Sequence, residues 1–440
     1  MAGSVFDSQI FSDLFPTGEI GRLFTDMAEI RAMMFVQGNL AKIQGQQGVI
    51  PEVSAQAIHR AAIELQLDPS ELSQATGQNG VSVPGLIDAF EKHMQAPEHS
   101  QYIHFGATSQ DIIDSGLMLR LRQMLNLQEQ VLQTLLRRLA KLAQEYTDLP
   151  MVARTYGQDA ALTSFGATVA TWGNPLFDLF IALPDLRKTS LWVSLSGAAG
   201  TSAALGKDAH LARAGLAESL RLGNPERSWH SDRSPILRIV NWQAALSAAL
   251  GKMAEDILIL RQSNIKTVIL GQSGASSTMP QKQNPVGPSA ISSLSRYVIG
   301  QQSVLQQAAL HKEARDGAAW FTEWLALPQL CLSASSALLT ANDMCGAIMP
   351  DKAAMQSDIA RSRGMIYAEA LSFELAKSKP RPEATADIKE LCMSLQNSND
   401  DFVDTAKRKW PELANFNPVD QLGEAPQFAF SFAERVKEAF

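Results

Sequence analysis

Proline placement limits what this chain can fold into more tightly than any other feature. Pro97 and Pro150, Pro235 and Pro280, Pro288 and Pro328, and Pro350 and Pro380 each enclose a long stretch free of proline, the residue a helix interior tolerates least. Within these stretches apolar residues recur every three or four positions. Leu117, Leu121, Leu125, Leu132, Leu135, Leu136, Leu139 and Leu142 form one such set, and Ile236, Val240, Ala244, Ala248 and Ile257 another. That period predicts long amphipathic helices. Few β-branched residues alternate with polar ones between turn pairs, so strands are not expected and the fold class is all-α. Helices of about 30 residues would reach about 45 Å at 1.5 Å per residue, more than one compact domain usually needs. They favour a bundle shared between subunits; a monomeric helical protein is the alternative.

With 440 residues, 45% of them hydrophobic, the chain can bury a large core divided among two or three domains. Its formal net charge of −7 disfavours a nucleic-acid or membrane-surface role, so an anionic ligand would need locally concentrated positive charge. Cys331, Cys345 and Cys392 are odd in number and far apart, which implies neither a disulfide framework nor a metal site. The N-terminal residues carry no signal-like basic and apolar regions, and no apolar run is expected to span a bilayer. A cytoplasmic location follows as the expectation.

Residues 271–288, Gly-Gln-Ser-Gly-Ala-Ser-Ser-Thr-Met-Pro-Gln-Lys-Gln-Asn-Pro-Val-Gly-Pro, are not explained by packing. The first half is rich in small residues and the second is stiffened by prolines, with Ser276, Ser277, Lys282 and Asn284 spread among them. A closing catalytic loop would be written this way, with backbone N–H donors, a hydroxyl and a compact cation for an anionic ligand. A plain surface loop is the other reading. A second cluster, His104-Phe105-Gly106-Ala107-Thr108-Ser109-Gln110-Asp111, precedes a helix expected from about residue 111. Thr108, Ser109 or Asp111 could cap that helix, and the same N-terminus is a ready anion site with His104 beside it. Taken alone, His104 also fits a hydrogen-bonded structural histidine. A third cluster runs from Ala153 through Arg154, Thr155, Tyr156, Gly157, Gln158 and Asp159 to Ala160.

These segments resemble the fumarase/aspartase superfamily. Its signature is close to G-S-S-x-M-P-x-K-x-N-P, matched by Ser276-Ser277-Thr278-Met279-Pro280, Lys282 and Asn284-Pro285. Ala275 stands where the pattern has Gly, and Gln283 where similar sequences carry Arg. The second cluster fits H-x-G-x-T-S-Q-D. The third fits G-R-T-H-x-x-x-A-x-P-T at Arg154 and Thr155, with Tyr156 replacing the His and Leu162 the Pro. An amine or alkoxide leaving group needs a proton from such a His, whereas a carboxylate with a pKa near about 4 does not. The branch that carries an aromatic residue there is that of the bacterial 3-carboxy-cis,cis-muconate lactonising enzymes. Its W-H-x-x-R resembles Trp229-His230 with Arg233, and its R-x-x-x-x-W-x-x-E-W-x-x-L-P resembles Arg315, Trp320, Glu323-Trp324 and Leu327-Pro328. Ser196-Gly197-Ala198-Ala199-Gly200-Thr201 is similar to a small-residue turn near the family's active site, and close helix packing would explain it equally well. Past Pro380 the resemblance fades.

The resemblance implies a three-domain fold, with residues 1–110, a long-helix bundle at 111–348 and a C-terminal part at 349–440, assembled as a homotetramer. Three chains would then contribute to each active site. It implies that Ser276 is the acid/base, that Thr108, Ser109, Lys282 and Asn284 hold substrate carboxylates, and that Arg233 and Arg315 serve additional ones. His104 would be the second catalytic residue, and Arg154, Thr155, Tyr156, Ser277 and Met279 would complete the binding site. The expected substrate is a small polycarboxylate, processed without metal or cofactor by intramolecular carboxylate addition to a double bond. An eliminating lyase of the adenylosuccinate type and a catalytically silent structural homologue are the alternatives.

Overall fold

The computed structural model describes residues 3–271, 274–275, 278–279 and 281–440. It is 69% helical with 5% strand, which is the all-α class expected from the proline spacing. The longest helices are Ser109–Glu145 with 37 residues, Ser234–Leu260 with 27, Val286–Ala308 with 23 and Gly317–Cys345 with 29. The leucine set on the Ser109 helix is buried from Leu117 to Leu139, and Ile236, Val240, Ala244 and Ile257 are buried on the Ser234 helix. Ala248 is exposed.

Two elements differ from the proline reading. Gly317–Cys345 runs straight through Pro328, which cannot donate to the carbonyl four residues back. Trp320, Leu327, Leu330 and Cys331 are all buried around that point, so tertiary packing offsets the missing bond. The same helix is long and apolar enough to cross a membrane, contrary to expectation, but 67% of its apolar window is buried inside the protein. It is a core helix. Between Pro350 and Pro380 the chain makes the shorter helices Lys352–Arg361 and Ala368–Leu375 rather than one long one.

The chain forms two compact units, each discontinuous in sequence. Met1–Val131, Leu179–Ala248 and Ser293–Thr340 make the first; Leu132–Asp178, Ala249–Ser292 and Ala341–Phe440 make the second. In the first, helices Asp26–Gln46 and Glu52–Glu64 pack closely because Gly38 and Gly45, two turns apart, face Ala62 and Ala55. A Cβ on Gly45 would stand 2.3 Å from that of Ala55. In the second, Leu371, Leu375, Ile388, Leu391, Phe402, Trp410 and Leu413 build a local core, and the Phe432 ring lies against Gly173.

The second unit also holds a hairpin that was not expected. Strand Pro150–Thr155 pairs antiparallel with Gln158–Ser164 around a two-residue turn, Tyr156-Gly157, whose φ angles are 52° and 72°. Both central residues left-handed is the type I′ geometry that matches strand twist.

Candidate active site

In the first unit the site is built on the start of the Ser109 helix. The Asp111 carboxylate reaches back to accept from the Thr108 N–H at 3.0 Å, the return half of a capping box. The Thr108 hydroxyl is thereby left to accept from an Nη1 hydrogen of Arg315. A guanidinium, a hydroxyl and a helix N-terminus thus meet at residues 108–109, an arrangement suited to a carboxylate. Arg315 is exposed and has φ 60°, an uncommon conformation for a side chain of its size.

Asp111 does more than cap. Its carboxylate, fully buried, also accepts from Ser194 Oγ at 3.1 Å, Ser196 N at 2.8 Å, Gly197 N at 2.9 Å and His230 Nε2 at 2.8 Å. Because a carboxylate offers no hydrogen, His230 must carry its proton on Nε2. The Ser196–Thr201 turn, for which packing and site readings were both open, is therefore held to the motif of residues 104–111 by one side chain. Gly197 has φ 69°, which permits this turn. One helical turn on, Ser115 Oγ donates to the Ser194 carbonyl at 3.0 Å and accepts from Ser194 N at 2.9 Å.

Arg233 does not present its guanidinium to a ligand. It donates to both oxygens of Asp114, at 2.7 and 3.0 Å, and to both of Glu323, at 2.7 and 3.0 Å, with its plane 5.1 Å from the Trp229 ring centroid. Four of its five N–H donors are occupied, and the two carboxylates hold the charged form strongly against the cost of burial.

His104 occupies a left-handed conformation with φ 63°, and its Nδ1 lies 2.8 Å from Nε2 of Gln37. Burial pushes its pKa from the usual 6.5 down to about 4, against a smaller upward pull from Asp111. At neutral pH the ring is uncharged. Gln37 does not stand out from hydropathy; Asp111 is a candidate cap in the sequence, but its wider role as acceptor for the Ser194–Gly197 turn and His230 is not expected from it.

In the second unit Arg154 is held by Asp159, its cross-strand partner, at 2.8 Å and by Asp358 at 2.6 Å. Thr155 follows it, and Tyr156 projects from the hairpin tip with full exposure. Gly274–Ala275 pairs antiparallel with Gln283–Asn284 and closes the base of the signature loop. Lys282 is exposed, with its N–H on the Met279 carbonyl at 3.0 Å. Gln283 accepts from Arg261 Nη2 at 3.3 Å, so the side chain standing in the Arg position of similar sequences itself meets an arginine. Ser276 and Ser277 lie outside the described residues. The structure thus brings His104, Thr108, Ser109 and Arg315 together in one unit, and Arg154, Thr155 and Tyr156 on one hairpin in the other. Among the described residues no cluster of His, Cys, Asp or Glu suits a metal ion.

Comparison with known proteins identifies the family and the fold. A family model described as Lyase matches residues 19–300. The 3-carboxy-cis,cis-muconate cycloisomerase of Pseudomonas aeruginosa is 32% identical over 391 residues, 88% of this chain and 85% of the relative. The N-acetyl-S-(2-succino)cysteine lyase of Enterococcus italicus is 28% identical over 410 residues, 92% of this chain and 89% of the relative. The solved 3-carboxy-cis,cis-muconate lactonizing enzyme of Pseudomonas putida superposes with a TM-score of 0.90 at 30% identity, covering 98% of this chain and 100% of that one. With more than half its length matched by the family model and the fold shared end to end, the chain belongs to the lyase family of the fumarase/aspartase superfamily.

Proposed function

We propose that this protein is a cytoplasmic cycloisomerase that converts 3-carboxy-cis,cis-muconate into a carboxymuconolactone, a step in aromatic-compound catabolism through protocatechuate. The observation that carries this reading is the 32% identity, over 88% of the chain, to a cycloisomerase of that name. Tyr156 supports it, because a reaction whose leaving group is a carboxylate needs no histidine there to supply a proton.

In the proposed reaction a substrate carboxylate oxygen forms a C–O bond to one alkene carbon. The π electron pair moves to the neighbouring carbon, where an adjacent carboxylate takes up the charge in aci form. Ser276 then delivers its hydroxyl proton to that carbon and recovers one from solvent. The negative charge peaks before protonation, so donors around that carboxylate supply most of the stabilisation. Thr108, Ser109 and Arg315 are assigned to one carboxylate, and Lys282 and Asn284, with Ser277 and Met279 on the same loop, to another. Arg233 is reassigned from substrate binding to holding the helices behind the site, since four of its five donors are already taken by Asp114 and Glu323. Arg154, ion-paired to Asp159 and Asp358, fixes the hairpin that presents Thr155 and Tyr156.

We further propose a D₂ homotetramer with sites shared among chains. Its support is the apolar surface left on the long helices: Tyr297 and Ile299 on one, Phe321 and Leu325 on another, with Leu325 78% exposed.

A second reading is favoured by the similarity to an S-succinocysteine lyase. A thiolate, with a conjugate-acid pKa near about 8.5, also leaves without strong acid assistance, so Tyr156 does not exclude it. Incubation of purified protein with 3-carboxy-cis,cis-muconate should remove the diene absorbance. Absence of that loss, with fumarate released from an S-(2-succinyl) thioether, would establish elimination instead.

A further inference from the structure

We infer that Gln37 is a positioning residue that sets the tautomer of His104, four residues before Thr108, making it a neutral hydrogen-bond donor through Nε2. An amide nitrogen carries hydrogens and no free acceptor orbital, so at 2.8 Å from Gln37 Nε2 the His104 Nδ1 has to accept. The single proton of the neutral ring is then on Nε2. Gln37 is 2% exposed and cannot be replaced by water as the partner. The backbone that follows is held by the same helix: two turns on, Gln44 Nε2 donates to the Phe105 carbonyl at 2.7 Å. His104 and Gly106 both have positive φ, 63° and 73°, and a non-glycine residue keeps that conformation only when its surroundings impose it. Gln37 on the ring and Gln44 on the Phe105 carbonyl are two of the contacts that hold it.

The charged group bearing on the ring is the Asp111 carboxylate on the Ser109 helix, whose pull toward protonation is outweighed by burial. A neutral donor of fixed orientation suits charge that develops during reaction, because it stabilises an aci-carboxylate without competing as a base for the proton that Ser276 moves. The assignment rests on the proposed polycarboxylate chemistry for its purpose, but not for its geometry.

Histidine-labelled protein, with the His104 signals identified from a His104→Gln variant, allows ring nitrogens to be read directly by ¹⁵N NMR without substrate. The expected wild-type result is an Nε2–H tautomer that does not titrate above pH 5. In Gln37→Glu the new carboxylate should move the proton to Nδ1 and raise the ring's titration by about 1–3 pH units. The kcat/KM profile should then gain an acidic limb absent from wild type. In Gln37→Met, similar in volume, both tautomers should appear, and kcat should fall by about tenfold with KM less affected. An Nδ1–H tautomer or a titration near the ordinary value in wild-type protein would overturn the inference. So would a folded Gln37→Glu variant whose ring titration is unchanged. If the ring behaves as expected but carboxymuconate is not consumed, the functional reading fails by itself.

Discussion

Replacing Asp111 with Asn keeps the side-chain volume and removes the charge, which makes it a clean probe of the polar centre. The carboxylate accepts five hydrogen bonds, three on Oδ1 from Ser194 Oγ, Ser196 N and His230 Nε2, and two on Oδ2 from Thr108 N and Gly197 N. An amide has one acceptor oxygen, so its nitrogen must face one of these groups of donors. The least costly choice keeps the oxygen on the Oδ1 side and leaves the Thr108 and Gly197 N–H groups without an acceptor. Two orphaned buried donors at about 1–3 kcal/mol each come to about 2–6 kcal/mol, a large share of the ~5–15 kcal/mol that stabilises a typical protein. Urea unfolding should show this as a lowered midpoint at unchanged slope. Ser194→Ala, which removes one donor and leaves four, should cost no more than about 1.5 kcal/mol. An Asn variant within about 1 kcal/mol of wild type, or a Ser194→Ala variant equally destabilised, would refute the hub.

The remaining predictions concern pH, the hairpin and assembly. Folded His104 resists protonation down to about 4 while the unfolded ring takes a proton near 6.5, so stability is complete above that value and falls as pH drops between them. The loss should reach up to about 3 kcal/mol and be missing from His104→Gln, as urea midpoints at pH 7 and 4.5 would reveal. Tyr156→Asn places a residue suited to φ 52° in the turn and should raise the thermal midpoint, by about 0.5–1 kcal/mol of stability, while lowering kcat/KM; unchanged turnover would reduce Tyr156 to a turn residue. Ser276→Ala should lower turnover by at least about a hundredfold. Mixed with His104→Ala under subunit exchange it should recover part of the activity, and no recovery after proven exchange would defeat the shared-site assembly.

The long helices are legible in sequence because two simple exclusions act together: proline is missing from the interior, and apolar residues fall on one stripe. Where either exclusion is offset by packing, legibility ends. Pro328 sits inside a helix because Trp320, Leu327 and Leu330 bury around it. The hairpin at 150–164 has neither β-branched alternation nor a strict in-and-out burial pattern, and is set by Tyr156-Gly157 and by Arg154 facing Asp159. The candidate site motifs stand out in sequence at Thr108, Ser109 and the signature loop because hydroxyls, glycines and a cation there fall on no apolar stripe. Their supports are hidden for the opposite reason. Gln37, Gln44, Gln110, Asp111, Asp114 and Ser115 are all nearly or fully buried, yet in one dimension each resembles a solvated helix face. Polar groups of this kind are tolerable inside only when each finds its partner, and those partners lie 67 residues away for Gln37, as far as 119 for Asp111, and 119 for Asp114 through Arg233. A hydrophobic stripe can be read from one segment because it needs only an apolar environment. A buried hydrogen-bond centre is defined by pairs, so its members become recognisable as a set only once the fold has brought both halves of each pair together.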